Sequence, residues 1–313
     1  MIVTLTLNPS IDHHLFFDAP LRSEDTNRAR TSLLVAGGKG LNVAKAVRSL
    51  GEPVRTLALT AGDTGRQWLE LAAEGGLLPE VVCLARGRTR INPFIYVEGR
   101  EVFRVSEKGP EAGGACLKAL SSRVLSGRPR PAWAVLSGGL PEGLSGDAYA
   151  RIVRDLSRLG VACAVDADGE ALRRSLSARP DVIKPNIHEL ERLDGRRLRT
   201  RASRLAAARR ALKSGARAVL ASMADEGALW VGPEGAYLAR SPRVRVTNTS
   251  GAGDATLGGY VSARHRGWPA DLALTLAVAC GAAAVSGEGR SGALDPRRVA
   301  RLFRGVRVRP VSG

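Results

Sequence analysis

Three stretches of the chain bring together the residue types that phosphate chemistry needs. The first is Asn248-Thr249-Ser250-Gly251-Ala252-Gly253-Asp254, ahead of an apolar, helix-compatible run. A glycine-rich turn feeding a helix start offers free backbone N–H groups and the positive end of the helix dipole to an anion. Gly251 and Gly253 let a bulky anion approach the backbone. Asp254 is the unexpected member, a carboxylate inside an anion-favouring nest. Two accounts fit it locally. It caps the helix, or it takes a proton from a hydroxyl that attacks a phosphoryl group. The second stretch is Lys184-Pro185-Asn186-x-x-Glu189. Residues three apart at a helix start share one side. An amide oxygen and a carboxylate placed so suit Mg²⁺, which keeps waters and phosphate oxygens as its other ligands. The same spacing also suits an N-cap Asn with a capping-box Glu. The third is Gly37-Gly38-Lys39-Gly40-Leu41-Asn42. It is a second anion-type helix start, but it has neither the GxxxxGK[ST] spacing of a P-loop nor the GxGxxG of a dinucleotide site.

Elements of alternating type must position these stretches. Residues 2–7 read as a buried strand ending at the Asn8-Pro9-Ser10 turn, with Asp12 just beyond. From residue 132 onward, strands at 132–136, 161–165 and 182–183 alternate with helical runs and end in Ser137, Asp166 and Lys184. That alternation predicts an α/β fold with a doubly wound, mostly parallel sheet flanked by helices. Ligands of such sheets bind at the carboxyl ends of the strands. Two non-helical insertions, residues 13–36 and 89–107, predict a small β-sheet lid, with Arg90 at its base as a phosphate fork or a plain surface Arg. Residues 217–240 predict strands turning at Ala224-Asp225-Glu226-Gly227, a hairpin that could wall a nucleotide. Val244-Arg245-Val246-Thr247 reads as a strand before the first motif.

Bulk composition narrows the classes. The 313 residues are 44% hydrophobic and 25% charged, as in a soluble globular protein, and are read as one domain, 1–313. No apolar run approaches the ~20 residues of a membrane span. The first residues read as a strand, not as a signal peptide. Cys83, Cys116, Cys163 and Cys280 are scattered with no metal-ligand spacing, which argues for reduced thiols in a cytoplasm. The net charge of +17 raises a competing class, a basic nucleic-acid-binding or regulatory protein. The densest basic run, Arg196 to Arg210, has no aromatics for base stacking, and its Arg residues alternate with Leu and Ala as on a wet helix face. No nucleic-acid partner is expected. His13, His14, His188 and His265 form no pattern.

Taken in order along the chain, the three motifs resemble those of the ribokinase-like (pfkB-type) carbohydrate kinases. Thr6-Leu7-Asn8-Pro9-Ser10-Ile11-Asp12 and Thr89-Arg90-Ile91-Asn92 are similar to its phosphosugar branch, which includes 1-phosphofructokinase and tagatose-6-phosphate kinase. The resemblance implies an ATP- and Mg²⁺-dependent kinase of a hexose phosphate. Fructose 1-phosphate is the expected substrate, with tagatose 6-phosphate or fructose 6-phosphate as alternatives. Asp254 would be the base, with Gly251, Ala252 and Gly253 as the anion hole. Asp12, Gly38, Asn42 and Ser137 would hold sugar hydroxyls. Lys39 and Arg90 would hold the sugar's phosphate, with Arg28 reaching from a partner's lid in a homodimer. Lys184, Asn186 and Glu189 would serve the ATP phosphates and Mg²⁺. Ser222, Gly227, Asn248, Ser250 and the region around Cys280 would border the nucleotide. Ser250 departs from the family's usual small apolar residue. Ser137-Gly138-Gly139-Leu140-Pro141 and Ser222-Met223-Ala224-Asp225-Glu226 also depart from its usual runs.

Overall fold

Hydrophobic alternation on the central strands sends neighbouring residues into two separate cores. On one strand, Val135 packs into one core and Leu136 into the other. A sheet buried on both faces is what an alternating strand–helix sequence produces. The computed structural model describes residues 1–247, 249–287 and 293–311. Asn248 lies outside the described residues.

The first half contains β1 (Ile2–Thr6), β2 (Ser10–Phe17), β3 (Thr31–Gly37), α1 (Lys39–Ser49), β4 (Val54–Ala61), α2 (Gly62–Glu74), β5 (Glu80–Leu84), β6 (Arg90–Val97), β7 (Arg100–Arg104), α3 (Gly114–Ser126), β8 (Trp133–Ser137) and α4 (Ala148–Ser157). The second half contains β9 (Ala162–Asp166), α5 (Gly169–Ser175), β10 (Val182–Ile183), α6 (Ile187–Asp194), α7 (Arg201–Lys213), β11 (Val219–Ser222), β12 (Ala228–Gly232), β13 (Gly235–Arg240), α8 (Ala252–His265), α9 (Ala270–Ser286), α10 (Pro296–Gly305) and β14 (Arg307–Pro310).

The large sheet has the order β14-β13-β12-β11-β10-β9-β8-β1-β4-β5. It is parallel from β5 to β11 and antiparallel from β12 to β14. α3 to α7 pack on one face. α1, α8, α9 and α10 pack on the other. The small sheet, β3-β2-β6-β7, is separate and joins two insertions through the parallel pair β2 and β6.

Two expectations need correction. The first lid strand starts at Ser10, so Asp12 lies within β2 and not in a turn after β1. Residues 244–247 form no strand, and Val246 is exposed. The reason is topological. β14, from the far end of the chain, pairs with β13 and takes the sheet edge that 244–247 would need. Thr247 is tied instead to the end of α9, its N–H donating to Val285 O (2.8 Å) and its Oγ1 to Gly287 O (2.7 Å).

Candidate active site at the sheet's carboxyl edge

The polar residues gather where the parallel strands run out. Ser137 is the last residue of β8, Asp166 the last of β9, and Lys184 follows β10 directly. All three are buried. Asp166 is the hub of this group. Its Oδ1 accepts from Lys39 Nζ at 3.3 Å, and its Oδ2 pairs with Lys184 Nζ at 3.4 Å and accepts from Ser137 Oγ at 3.4 Å. Burial alone would raise the Asp166 carboxyl, but Lys184 and Lys39 hold it below the ordinary Asp range. Asp166 had been legible only as a polar residue at a strand end.

α8 begins beside Lys184, whose Nζ lies 3.3 Å from where a β carbon on Gly253 would sit. The residue preceding the helix is Gly251, with φ of 78°, in the left-handed region that glycine adopts without penalty. The N-cap residue, Gly251, has no side chain with which to cap this helix start. Asp254, the third residue of the helix, is buried and accepts from Asn42 Nδ2 at 2.9 Å through Oδ2. Burial and the neighbouring Asp166 push the Asp254 carboxyl up to about 6, against the pull of Lys39, the Asn42 hydrogen bond and Lys184. A carboxyl so tuned is ionised at neutral pH and still basic enough to accept a proton.

α1 supplies both Lys39 and Asn42. Its N-cap is Gly38, with φ of 127°, pressed so near β1 that a β carbon there would sit 2.7 Å from Thr6 Cγ2. Burial would lower the Lys39 ammonium, but Asp166, Glu189 and Asp254 together push it up, so it remains a cation. Lys39 Nζ also lies 3.9 Å from Glu189 Oε1. Lys39 thus stands with Asp166 and Glu189, whereas Arg90 belongs to another group. The Arg90 guanidinium donates to Asn8 O (3.0 Å), Pro9 O (3.4 Å), Ser106 Oγ (2.9 Å) and Glu107 O (3.2 Å). It faces Asp12 and Glu107. Asp12 accepts from Ser10 Oγ (2.7 Å) and from Asn92 Nδ2 (3.4 Å). Its burial raises the carboxyl above the ordinary Asp value despite these bonds and despite Lys45 and Arg90.

At α6 the local cap account is realised. Glu189 N–H donates to Asn186 Oδ1 at 2.9 Å, and Asn186 N–H donates to Glu189 Oε2 at 2.8 Å. Glu189 Oε1 remains on the Lys39 side. Among the described residues, no group of three or more His, Cys, Asp or Glu could hold a metal ion by itself. The hard oxygen of Glu189 fits an ion held largely by water and phosphate oxygens, which is the usual habit of Mg²⁺.

The remaining expected nucleotide neighbours divide. Ser222 is at the site, since it ends β11, donates its N–H to Pro185 O at 3.0 Å and bridges Asn186. Gly227 is a turn residue between β11 and β12. Ser250 and Ala252 bracket Gly251 at the start of α8. Cys280 is corrected: it is fully buried, with its thiol packed against Gly259 of α8, and burial pushes that thiol up to about 12. The Ala-rich pattern of α9 makes the Cys280 side chain a packing group between two close helices. Arg28 is exposed on the loop between β2 and β3. No helix among the described residues is long and apolar enough to cross a membrane.

This geometry can be set beside known proteins. The profile described as "pfkB family carbohydrate kinase" matches residues 5–296. The 1-phosphofructokinase of Escherichia coli strain K12 is 32% identical over 311 residues, covering 99% of each chain. The tagatose-6-phosphate kinase of Staphylococcus epidermidis strain RP62A is 33% identical over 265 residues, covering 84% of each. The structure of Escherichia coli phosphofructokinase-2 in complex with fructose-6-phosphate superposes with a TM-score of 0.87 at 27% identity, covering 97% of this chain and 98% of that one. The fold is ribokinase-like.

Proposed function

The chain belongs to the pfkB family of carbohydrate kinases, and we propose that within it the protein phosphorylates fructose 1-phosphate to fructose 1,6-bisphosphate with ATP as donor. It is a phosphotransferase acting on a sugar hydroxyl. The observation that carries the phosphoryl-transfer reading is Asp254. It is a buried carboxylate at a helix start whose N-cap is a glycine, beside Lys184 and bonded to Asn42.

In the proposed step Asp254 accepts the proton of the sugar hydroxyl as that oxygen bonds to the γ-phosphorus, and ADP leaves with the bridging oxygen's electron pair. Backbone N–H groups of residues 251–253 face the charge that develops on the transferred group. Lys184 offsets the negative charge of the ATP phosphates. Lys39, expected with Arg90 at the sugar's phosphate, is reassigned to the ATP phosphates because it pairs with Asp166 and Glu189 and Arg90 does not. Asp12, Gly38, Asn42 and the Ser137–Gly139 turn border the sugar. Arg90 holds the sugar's own phosphate by exchanging part of its present hydrogen-bond set for phosphate oxygens. Asn186 and Glu189 would hold Mg²⁺ through Glu189 Oε1 and waters, and the ion would supply positive charge at the phosphates. Ser222, with Ser250, borders the nucleotide. The small sheet is a lid inserted in a single kinase domain that works in the cytoplasm. Phe103 and Val105, at the β7 edge of that lid sheet, are exposed at 60% and 51%. We assign these exposed apolar side chains to a homodimer contact that brings Arg28 to the partner's cleft. Phe103→Asp should yield a monomer by light scattering; a dimer that persists would remove this assignment.

A coupled assay of ADP release decides the substrate. Fructose 1-phosphate should give the highest kcat/KM, above tagatose 6-phosphate and fructose 6-phosphate. A higher value for either of the others would transfer the assignment to it. Salt-sensitive DNA binding without turnover on any sugar phosphate would overturn the kinase reading.

A further inference from the structure

β7 ends at Arg104, and the chain beyond it runs on past the start of β6. Val105 N–H still donates to Pro93 O at 2.9 Å, as a strand residue would. Two residues further on, the bond is to a side chain. Ile91 N–H donates to Glu107 Oε2 at 3.1 Å, so a carboxylate stands where a strand carbonyl would satisfy that donor. The main chain of Glu107 is engaged as well. Its N–H donates to Asn92 Oδ1 at 3.2 Å, and its carbonyl accepts from Arg90 Nη1 at 3.2 Å. The residue before it, Ser106, accepts from the same Arg90 nitrogen at 2.9 Å. The residue after it, Lys108, accepts from Asn8 Nδ2 at 3.0 Å through its carbonyl, and Asn8 O accepts from Arg90 Nη2 at 3.0 Å.

Glu107 is therefore bonded to Arg90, Ile91 and Asn92, successive residues of the Thr89-Arg90-Ile91-Asn92 motif. The register of β2 on β6 places Asn92 opposite Asp12, to which Asn92 Nδ2 donates at 3.4 Å. One loop residue thus reaches both groups that the scheme above places on the acceptor, Arg90 directly and Asp12 through Asn92. The carboxylate also has an outer partner, since Oε1 accepts from Arg88 Nη2 at 3.0 Å. Arg88 is exposed, and surface pairs contribute little. The inner bond, from a strand N–H to a carboxylate, is the stronger one and pins the loop.

An arginine side chain has many rotamers, and any order it lacks before the phosphate arrives must be supplied at the expense of affinity. We propose that Glu107 is a positioning residue for the acceptor sugar: its carboxylate pins the loop after β7 to the start of β6, and the pinned loop aims the Arg90 guanidinium at the sugar's phosphate and holds Asn92 against Asp12. Ser106, exposed on the loop, is the partner that a phosphate oxygen displaces, while Glu107 O and Asn8 O stay to anchor the guanidinium. This rests on the reading of Arg90 and Asp12 as acceptor contacts.

The test is steady-state kinetics with ATP and the enzyme's preferred sugar phosphate, with thermal unfolding alongside. Glu107→Ala should raise the KM for the sugar phosphate about tenfold, the usual worth of one charge-assisted bond. Its KM for ATP should stay within about twofold of the wild type, because the loop touches no group placed on the nucleotide. Glu107→Gln keeps an acceptor for Ile91 N–H and should stay within about threefold of the wild type. Glu107→Asp keeps the charge but falls one methylene short of Ile91 N–H. It should behave like Glu107→Ala and replaces it should that variant fail to fold. Arg88→Ala removes only the surface pair and should match the wild type. The sharpest readout is Glu107→Ala added to Arg90→Ala. A residue that acts through Arg90 then has little left to position, so the added rise in the sugar-phosphate KM should be under about threefold. An unchanged sugar-phosphate KM in Glu107→Ala with only the unfolding temperature lowered, or the same tenfold rise with and without Arg90, would overturn the proposal and leave Glu107 as a loop clamp. Arg88→Ala as impaired as Glu107→Ala would overturn it too, by placing the effect in the surface pair. A wild type without turnover on any sugar phosphate overturns the proposal by a different route, through the reading it rests on.

Discussion

The starts of α6 and α8 are built from similar vocabulary and are used in opposite ways. Each has an acidic residue as the third residue of its helix, Glu189 in one and Asp254 in the other. At α6 that residue turns back to its own backbone and closes a reciprocal capping box with Asn186. At α8 the N-cap is Gly251, which has no side chain to offer, and Asp254 reaches across to Asn42 of α1. The first helix satisfies its own orphan N–H groups. The second has no N-cap side chain to satisfy them and starts beside a lysine, as an anion site requires. An acidic residue at the third helical position thus closes its own cap, as Glu189 does through Oε2 while Oε1 stays towards Lys39, or reaches across to another helix, as Asp254 does, according to whether the N-cap residue has a side chain.

Lys184→Met is expected to have the largest effect on both activity and stability outside Asp254 itself. It removes the buried partner of Asp166, and breaking a buried pair costs about 3–5 kcal/mol. Turnover should fall with the loss of a charge-assisted contact of about 1.5–3 kcal/mol, roughly 10- to 100-fold. Urea unfolding and steady-state kinetics measure both, and a variant as stable as the wild type would show that Asp166 does not depend on Lys184.

Asp254 should then give the α8 start a pH dependence of its own. Burial and Asp166 raise the folded-state Asp254 carboxyl to about 6, above the ordinary 3.8. The folded protein binds that proton more tightly than the unfolded chain, so this group's contribution to stability is fully present below about 4 and is lost as pH rises through about 6. Asp254→Asn removes the loss. Thermal unfolding should match the wild type near pH 4 and lie above it at pH 7. Equal unfolding temperatures at both pH values would show that the α8 start does not strain an ionised Asp.

Asn186→Ala should act in the opposite sense and more weakly. Losing an Asn cap costs about 1 kcal/mol, with no pH dependence between 5 and 8, as urea unfolding would record. A stabilised Asn186→Ala would remove the contrast between the two helices. The smallest effect is expected at Ser137, whose buried hydroxyl donates to Asp166 at 3.4 Å. Ser137→Ala should change kcat/KM by no more than about the ~1 kcal/mol of one hydrogen bond.

Most of the fold was legible, because its strands and helices have strong periodicity and clear stops. Gly51 stops α1, Gly75 and Gly76 stop α2, and Glu98-Gly99 turns β6 into β7. What escaped was long-range. Nothing local tells Val244–Thr247 that β14 already holds the sheet edge. The site was legible as a set of motifs and not as a wiring diagram. Asp166 was seen as a strand-end acid, but its place between Lys39 and Lys184 depends on three distant segments. Cys280 was assigned to the nucleotide although its Ala-rich surroundings marked it as packing.

The account turns on whether Asp254 is a base or a bystander. Asp254→Asn, assayed by ADP release at saturating ATP and fructose 1-phosphate, should lose about 10²- to 10⁴-fold in kcat, the usual worth of a positioned base. Its affinity for ATP, measured by calorimetry, should stay within a fewfold of the wild type. A variant that turns over within tenfold of the wild type would contradict the account.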